Sequence, residues 1–173
     1  MMRSLNEVTA LVLKAGLGAG LPVGQAEDLA RTASHLVTQN GDLRVILDAI
    51  SEPNAPIDVA WGGDKLAVKA GNAAMTAPIV KDGFATGVTK ARLAQTSHAP
   101  LVLAMLAAAG LDARADGPLI TRTGNIPAKP GNGPVEIADE VWDALQVFAA
   151  RTYVKASDAS RAAGAGAGLT DND

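Results

Sequence analysis

A chain of 173 residues, 48% hydrophobic and 19% charged, can bury roughly two-thirds of the surface its unfolded form exposes, which excludes wholesale disorder and makes one domain the economical expectation. A formal net charge of −3 and a pI of about 5.3, with no basic run, leave no electrostatic footprint for a nucleic-acid partner. The absence of cysteine removes disulfides, thiolate catalysis and zinc–thiolate sites together.

Aromatics make up only 3%, so the core must be built from Leu, Val, Ile and Ala. An apolar balance with so few aromatics raises the expectation of a homodimer, because a second copy would cover apolar surface. The longest apolar run, Ala99 to Leu111, falls short of the roughly 20 residues that a membrane span needs. Glu7 interrupts the apolar core that a signal peptide would require, and the expected location is cytoplasmic.

Ser4 with Glu7 forms a capping box, and Leu5, Val8, Leu11, Val12 and Ala15 follow at helical spacing. Gly16-Leu17-Gly18-Ala19-Gly20 reads as the stop, with Pro22 as the first-turn proline of a second helix. That helix carries Ala26, Leu29, Ala30, Ala33, Leu36 and Val37 on one face. Asp28, Arg31, Thr32 and His35 share the other, and Asn40-Gly41 closes it. Asp42 can cap a short third helix that Pro53 stops.

The period then changes to two. Ile57, Val59 and Trp61 alternate outward, Gly62-Gly63-Asp64 turns, and Leu66 and Val68 alternate back, which predicts a β-hairpin. A second extended pair is expected from Pro78 through Lys81-Asp82-Gly83 to Leu93. Ser97-His98-Ala99-Pro100 enters a helix that is apolar nearly all round, and Asp112 to Arg122 forms another hairpin with Asp116-Gly117 at its tip. Gly124 to Pro134 reads as a surface loop, and a last helix is expected from about Val135 to Thr152.

The predicted fold is α+β. A helical unit over 1–52 precedes a mixed part over 53–152 with antiparallel hairpins and two further helices, and a glycine-rich tail over 153–173 completes a single domain.

Reactive groups are densest in that tail. Tyr153, Ser157, Ser160 and Arg161 can line a polar pocket, with the Arg161 fork suited to a carboxylate or phosphate. Gly164, Gly166 and Gly168 let the backbone approach an anion, although their spacing is not that of a dinucleotide fingerprint. Asp171 and Asp173 suit a hard cation or a basic pocket. On spacing and composition alone, a solvated helix end and a flexible acidic tail are the commoner reading of these groups. The two histidines lack metal-ligand spacing, so no metal site is expected.

Thr152 to Ser157, Ser160-Arg161 and Gly164 to Asp173 resemble the ending of an uncharacterised bacterial family, catalogued as domain of unknown function 3726. Ser4-Leu5-Asn6-Glu7, Gly20-Leu21-Pro22, Ala26-Glu27 and Arg31 are similar to its front, whereas Lys155 stands where that family usually has proline. The resemblance implies that the tail is an ordered or docked element. It implies no activity, cofactor or catalytic residue, and whether the chain is an enzyme stays open.

The leading expectation is a protein that binds a small anionic metabolite. Arg31 on the second helix and Arg161 would hold the anion, Tyr153, Ser157 and Ser160 would orient it, and the glycines would close over it. The rival is a non-catalytic subunit that docks on a partner enzyme through its tail or its apolar helix.

Overall fold

The computed structural model describes residues 1–127 and 133–153. In chain order the elements are β1 (Met2–Arg3), α1 (Leu5–Gly18), α2 (Val23–Thr38), α3 (Arg44–Ser51), β2 (Asp58–Gly62), β3 (Lys65–Ala70) and α4 (Ala73–Ala85). Then come β4 (Lys90–Arg92), α5 (Ala99–Ala108), β5 (Leu111–Asp116), β6 (Leu119–Asn125), β7 (Val135–Glu136) and α6 (Asp139–Ala150). The α+β class predicted from the sequence is the class observed.

Local chemistry sets the boundaries as expected at several places. The Ser4 Oγ accepts from the Glu7 N–H while the Glu7 carboxylate accepts from the Ser4 N–H, so the capping box starts α1. Asn40 takes a left-handed φ of 56° past the end of α2, and the Gly41 N–H returns to the Leu36 carbonyl. Gly117, at φ 55°, turns the β5–β6 hairpin.

Three expectations are corrected. The run Gly16 to Gly20 is not a simple stop, because α1 continues through Gly18 and only Gly20, at φ 85°, breaks it. The earlier glycines serve packing. A Cβ on Gly16 would lie 3.0 Å from the Ala26 Cβ of α2, and one on Gly18 would lie 1.9 Å from the Phe148 carbonyl oxygen of α6. They allow α1 to touch two neighbouring helices backbone to backbone.

The second correction concerns Pro78 to Gly83, expected as a strand but lying inside α4. The Asn72 side chain caps this helix by accepting from the Met75 N–H, and Ala73, Ala74, Met75 and Ala77 are good helix formers. The helix tolerates Pro78 because it is buried against the core; tertiary packing overrides a local cost of ~3 kcal/mol. Thirdly, the last helix begins at Asp139. Val135 and Glu136 instead pair as β7 with Arg3 and Met2 of β1, in a small two-stranded sheet.

The main sheet has five strands in the order β2-β3-β4-β6-β5. Its two hairpins are antiparallel as expected, but β3 and β4 are parallel and joined through α4. Leu66 and Val68 of β3, Ala91 of β4 and Ile120 of β6 point to the helical side. There they share a continuous core with Leu29, Ile46, Phe84, Leu101, Met105 and Leu106. Each such Leu, Ile or Phe contributes ~1.5–3 kcal/mol of burial. The apolar helix α5 is enclosed between α4, α2 and β5. Among the described residues no element packs on the other, open face of the sheet.

Candidate functional site

Alternation along the strands decides what the open face carries. In register across β2, β3, β4, β6 and β5, one row reads Gly62, Lys65, Lys90, Thr121, Arg114, and the next reads Ala60, Ala67, Arg92, Leu119, Asp116. Small residues at Ala60, Gly62 and Ala67 leave a shallow basin of about 470 Å³, edged by Lys65, Lys90, Arg92 and Leu119.

None of Lys65, Lys90, Arg92 or Arg114 has a carboxylate oxygen within 4.0 Å among the described residues. Lys65 and Lys90 are direct neighbours in the parallel pair, and like charges at such positions oppose the pairing.

Asp64, in the β2–β3 turn, holds this arrangement in place. Its carboxylate accepts from the Thr89 hydroxyl at 2.6 Å, and its carbonyl accepts from the Thr89 N–H at 2.8 Å. The turn is thereby tied to the start of β4, which fixes Lys65 beside Lys90. The Thr89 hydrogen bond, aided by the field of Lys65 and Lys90, holds the Asp64 carboxyl below its ordinary range. The acid neighbours the cations without forming an ion pair with either.

A second cavity, of about 400 Å³, lies between α2, α4 and α5 and is lined by Asp28, Arg31, Thr32, Lys81 and Asp82 with Met105 and Leu111. Its cations are already paired. Arg31 bonds Asp28 at 3.1 Å and lies 3.5 Å from Glu27, while Lys81 sits between Asp28 and Asp82. Burial alone would lower the Lys81 pKa, but the hydrogen bonds to those two carboxylates outweigh it and raise it.

His98 is fully buried where α5 begins. The Glu52 carboxylate lies 3.4 Å from its Nε2 but out of line for a hydrogen bond, and neither ring nitrogen has a partner among the described residues. Glu52 instead accepts from the Ala73 N–H at the start of α4. Among the described residues no group of three or more His, Asp or Glu is placed to hold a metal ion.

Arg31 and Tyr153, the described members of the site expected from sequence, line different cavities. Tyr153 follows α6 and lines a groove with Lys14, Trp142 and Gln146, the Lys14 ammonium 5.8 Å from its ring centre. Ser157, Ser160, Arg161, Gly164, Gly166, Gly168, Asp171 and Asp173 lie outside the described residues, as does nearly all of the tail. Leu101, Val102, Met105 and Leu106 of the apolar helix are in the core.

Lys65, Lys90, Arg92 and Arg114 were not singled out by sequence reasoning. The available signal was the pair of alternations Lys65-Leu66-Ala67-Val68-Lys69 and Lys90-Ala91-Arg92, each setting cations opposite an apolar face.

Residues 3–54 match the model of a family described as "Protein of unknown function (DUF3726)", the family that the sequence resembles. The match spans α1 to α3 and precedes the sheet. No curated protein and no solved structure matches the chain. No helix among the described residues is long and apolar enough to cross a membrane.

Proposed function

We propose that this protein binds a small anionic molecule in the basin on the open face of its five-stranded sheet. One observation carries the reading: Lys65, Lys90 and Arg92 converge on a floor of small residues, with like charges in register and no carboxylate paired to them among the described residues. Such an arrangement breaks a local rule of sheet stability, and a ligand that supplies the missing negative charge is its natural complement. The basin has the volume of a small-molecule site.

Binding rather than chemistry is what this lining supports, since among the described residues no carboxylate or histidine lines the basin itself and the neighbouring Asp64 is engaged with Thr89. The paired cavity beside Arg31 is a weaker candidate for an anion, because an incoming ligand would have to displace Asp28 and Asp82. A second copy of the chain is a poor occupant of the basin, since a two-fold contact there would set cations against cations.

The test is a titration with citrate and with inorganic phosphate followed by backbone amide shifts. Shifts should concentrate on Lys65 to Ala67, Lys90 to Arg92 and Leu119, and should vanish in the double variant Lys90→Gln, Arg92→Gln. Shifts spread evenly over the surface, or retained in the double variant, would refute the assignment.

A further inference from the structure

We infer that the ligand of this basin carries two or more linked phosphate groups, an inference that rests on the anion-binding reading and narrows it. Lys65 and Lys90 stand on adjacent strands, about 4.8 Å apart in backbone spacing, and Arg92 stands two residues beyond Lys90, about 6.6 Å along the strand. These three cations form a triangle. A single carboxylate or phosphate can sit against one edge of it and leaves the third cation uncompensated. Two linked phosphates reach all three: one bridges the two ammonium groups and the other lies in the fork of Arg92.

The margins of the patch limit the length of the ligand. Asp64 borders it at the β2–β3 turn, and at the β5 edge Asp116, two strands from Arg92 in the same row, stands beside Arg114 of the adjacent row and offsets it. A long polyanion crossing the sheet would run past these carboxylates. A nucleic-acid strand would also lack a stacking platform. Trp61 borders the basin and is exposed, but its register with Leu66 turns its ring toward Gly83 of α4 on the helical side, so it does not offer such a platform across the three cations. On the open face, apolar contact comes from Leu119 at the basin edge and from the Ala60 and Ala67 floor.

Calorimetric titration of the full chain at low salt with orthophosphate, pyrophosphate, tripolyphosphate and citrate tests the inference. Pyrophosphate should bind at least ~10-fold more tightly than orthophosphate, the effect of one added charge-assisted contact. Arg92→Lys, which keeps the charge and loses the fork, should erase most of that preference, while Lys90→Gln weakens all the anions. All three cations are exposed, so these variants should fold, and an unchanged far-ultraviolet spectrum verifies it.

Equal affinity for orthophosphate, citrate and pyrophosphate, lost together in Lys90→Gln, would overturn the linked-phosphate class and leave the anion site standing. Absence of binding, or binding indifferent to Lys90→Gln, would overturn both. A single-stranded oligonucleotide whose affinity grows with its length beyond that of tripolyphosphate would overturn the choice of a compact ligand.

Discussion

If the cations of the open face are held together against their mutual repulsion, removing one should stabilise the empty protein. Lys90 is the informative position, because it faces Lys65 across the strand pair and precedes Arg92 on its own strand. The side chains are exposed, so their charged tips lie in water-like dielectric. At a separation of about 7 Å, each like-charge pair then costs about 0.6 kcal/mol before screening. Lys90 takes part in two such repulsions, and its attraction to Asp64 offsets part of them. The net gain expected for Lys90→Gln is therefore about 0.5 kcal/mol at low salt, or about 1–2 °C in Tm for a chain of this size. In the Asp64→Asn background the offset disappears and the gain should grow. Near 1 M salt, where charges are screened within ~3 Å, it should vanish. Thermal unfolding by circular dichroism at two salt concentrations reads all of this. A loss of stability at low salt, or a gain that survives high salt, would refute the electrostatic reading of the face.

Gly18→Ala should cost ~1–3 kcal/mol or more, since its methyl would lie 1.9 Å from the Phe148 carbonyl oxygen and force α1 away from α6. Gly24→Ala in α2 meets nothing within 4 Å and should gain up to ~1 kcal/mol; urea unfolding midpoints of the two variants should move in opposite directions. Lys81→Met should cost ~1–2 kcal/mol, since it leaves Asp28 largely buried but still bonded to Arg31. The folded pKa of Lys81 is raised, so its contribution is complete below the ordinary lysine value. It should fade only as pH rises through the higher folded value, and the difference in Tm between wild type and Lys81→Met should hold steady from neutral pH into the alkaline range before closing.

Much of the fold could be read from local chemistry. The capping box at Ser4, the αL closure at Asn40, and the turns at Gly63 and Gly117 depend on neighbours within a few residues, and each was recognisable. The glycines at 16 and 18 were misread because their role depends on Ala26 and Phe148, and Phe148 lies more than a hundred residues away. α4 was misread because Pro78 and Asp82-Gly83 carry strong local turn signals. What overrides them is the burial of Ala74, Ala77, Val80 and Phe84 in the core. The reactive density of the tail was legible as composition, but composition does not say where a segment lies, and the described residues end at Tyr153.

The hidden site follows from the misread helix. As long as Pro78 to Leu93 is taken for a hairpin, Lys65 and Lys90 belong to separate antiparallel units and their charges have no reason to meet. Once that segment is a helix, the chain must cross over the sheet, β3 and β4 become parallel neighbours, and the cations fall into register. Net charge concealed the same feature. Strands β2 to β6 carry six Lys or Arg against three Asp, a surplus of 3, in a chain whose total is −3, so everything outside those strands is the more acidic. At physiological ionic strength a ligand in the basin feels mainly charges within ~8 Å, and among the described residues these include the lysines and the arginine that line it and the neighbouring Asp64. A whole-chain balance that argues against polyanions is therefore compatible with one face that attracts a compact one. The acidic surroundings discourage a long polyanion at the margins of the patch while leaving its centre cationic.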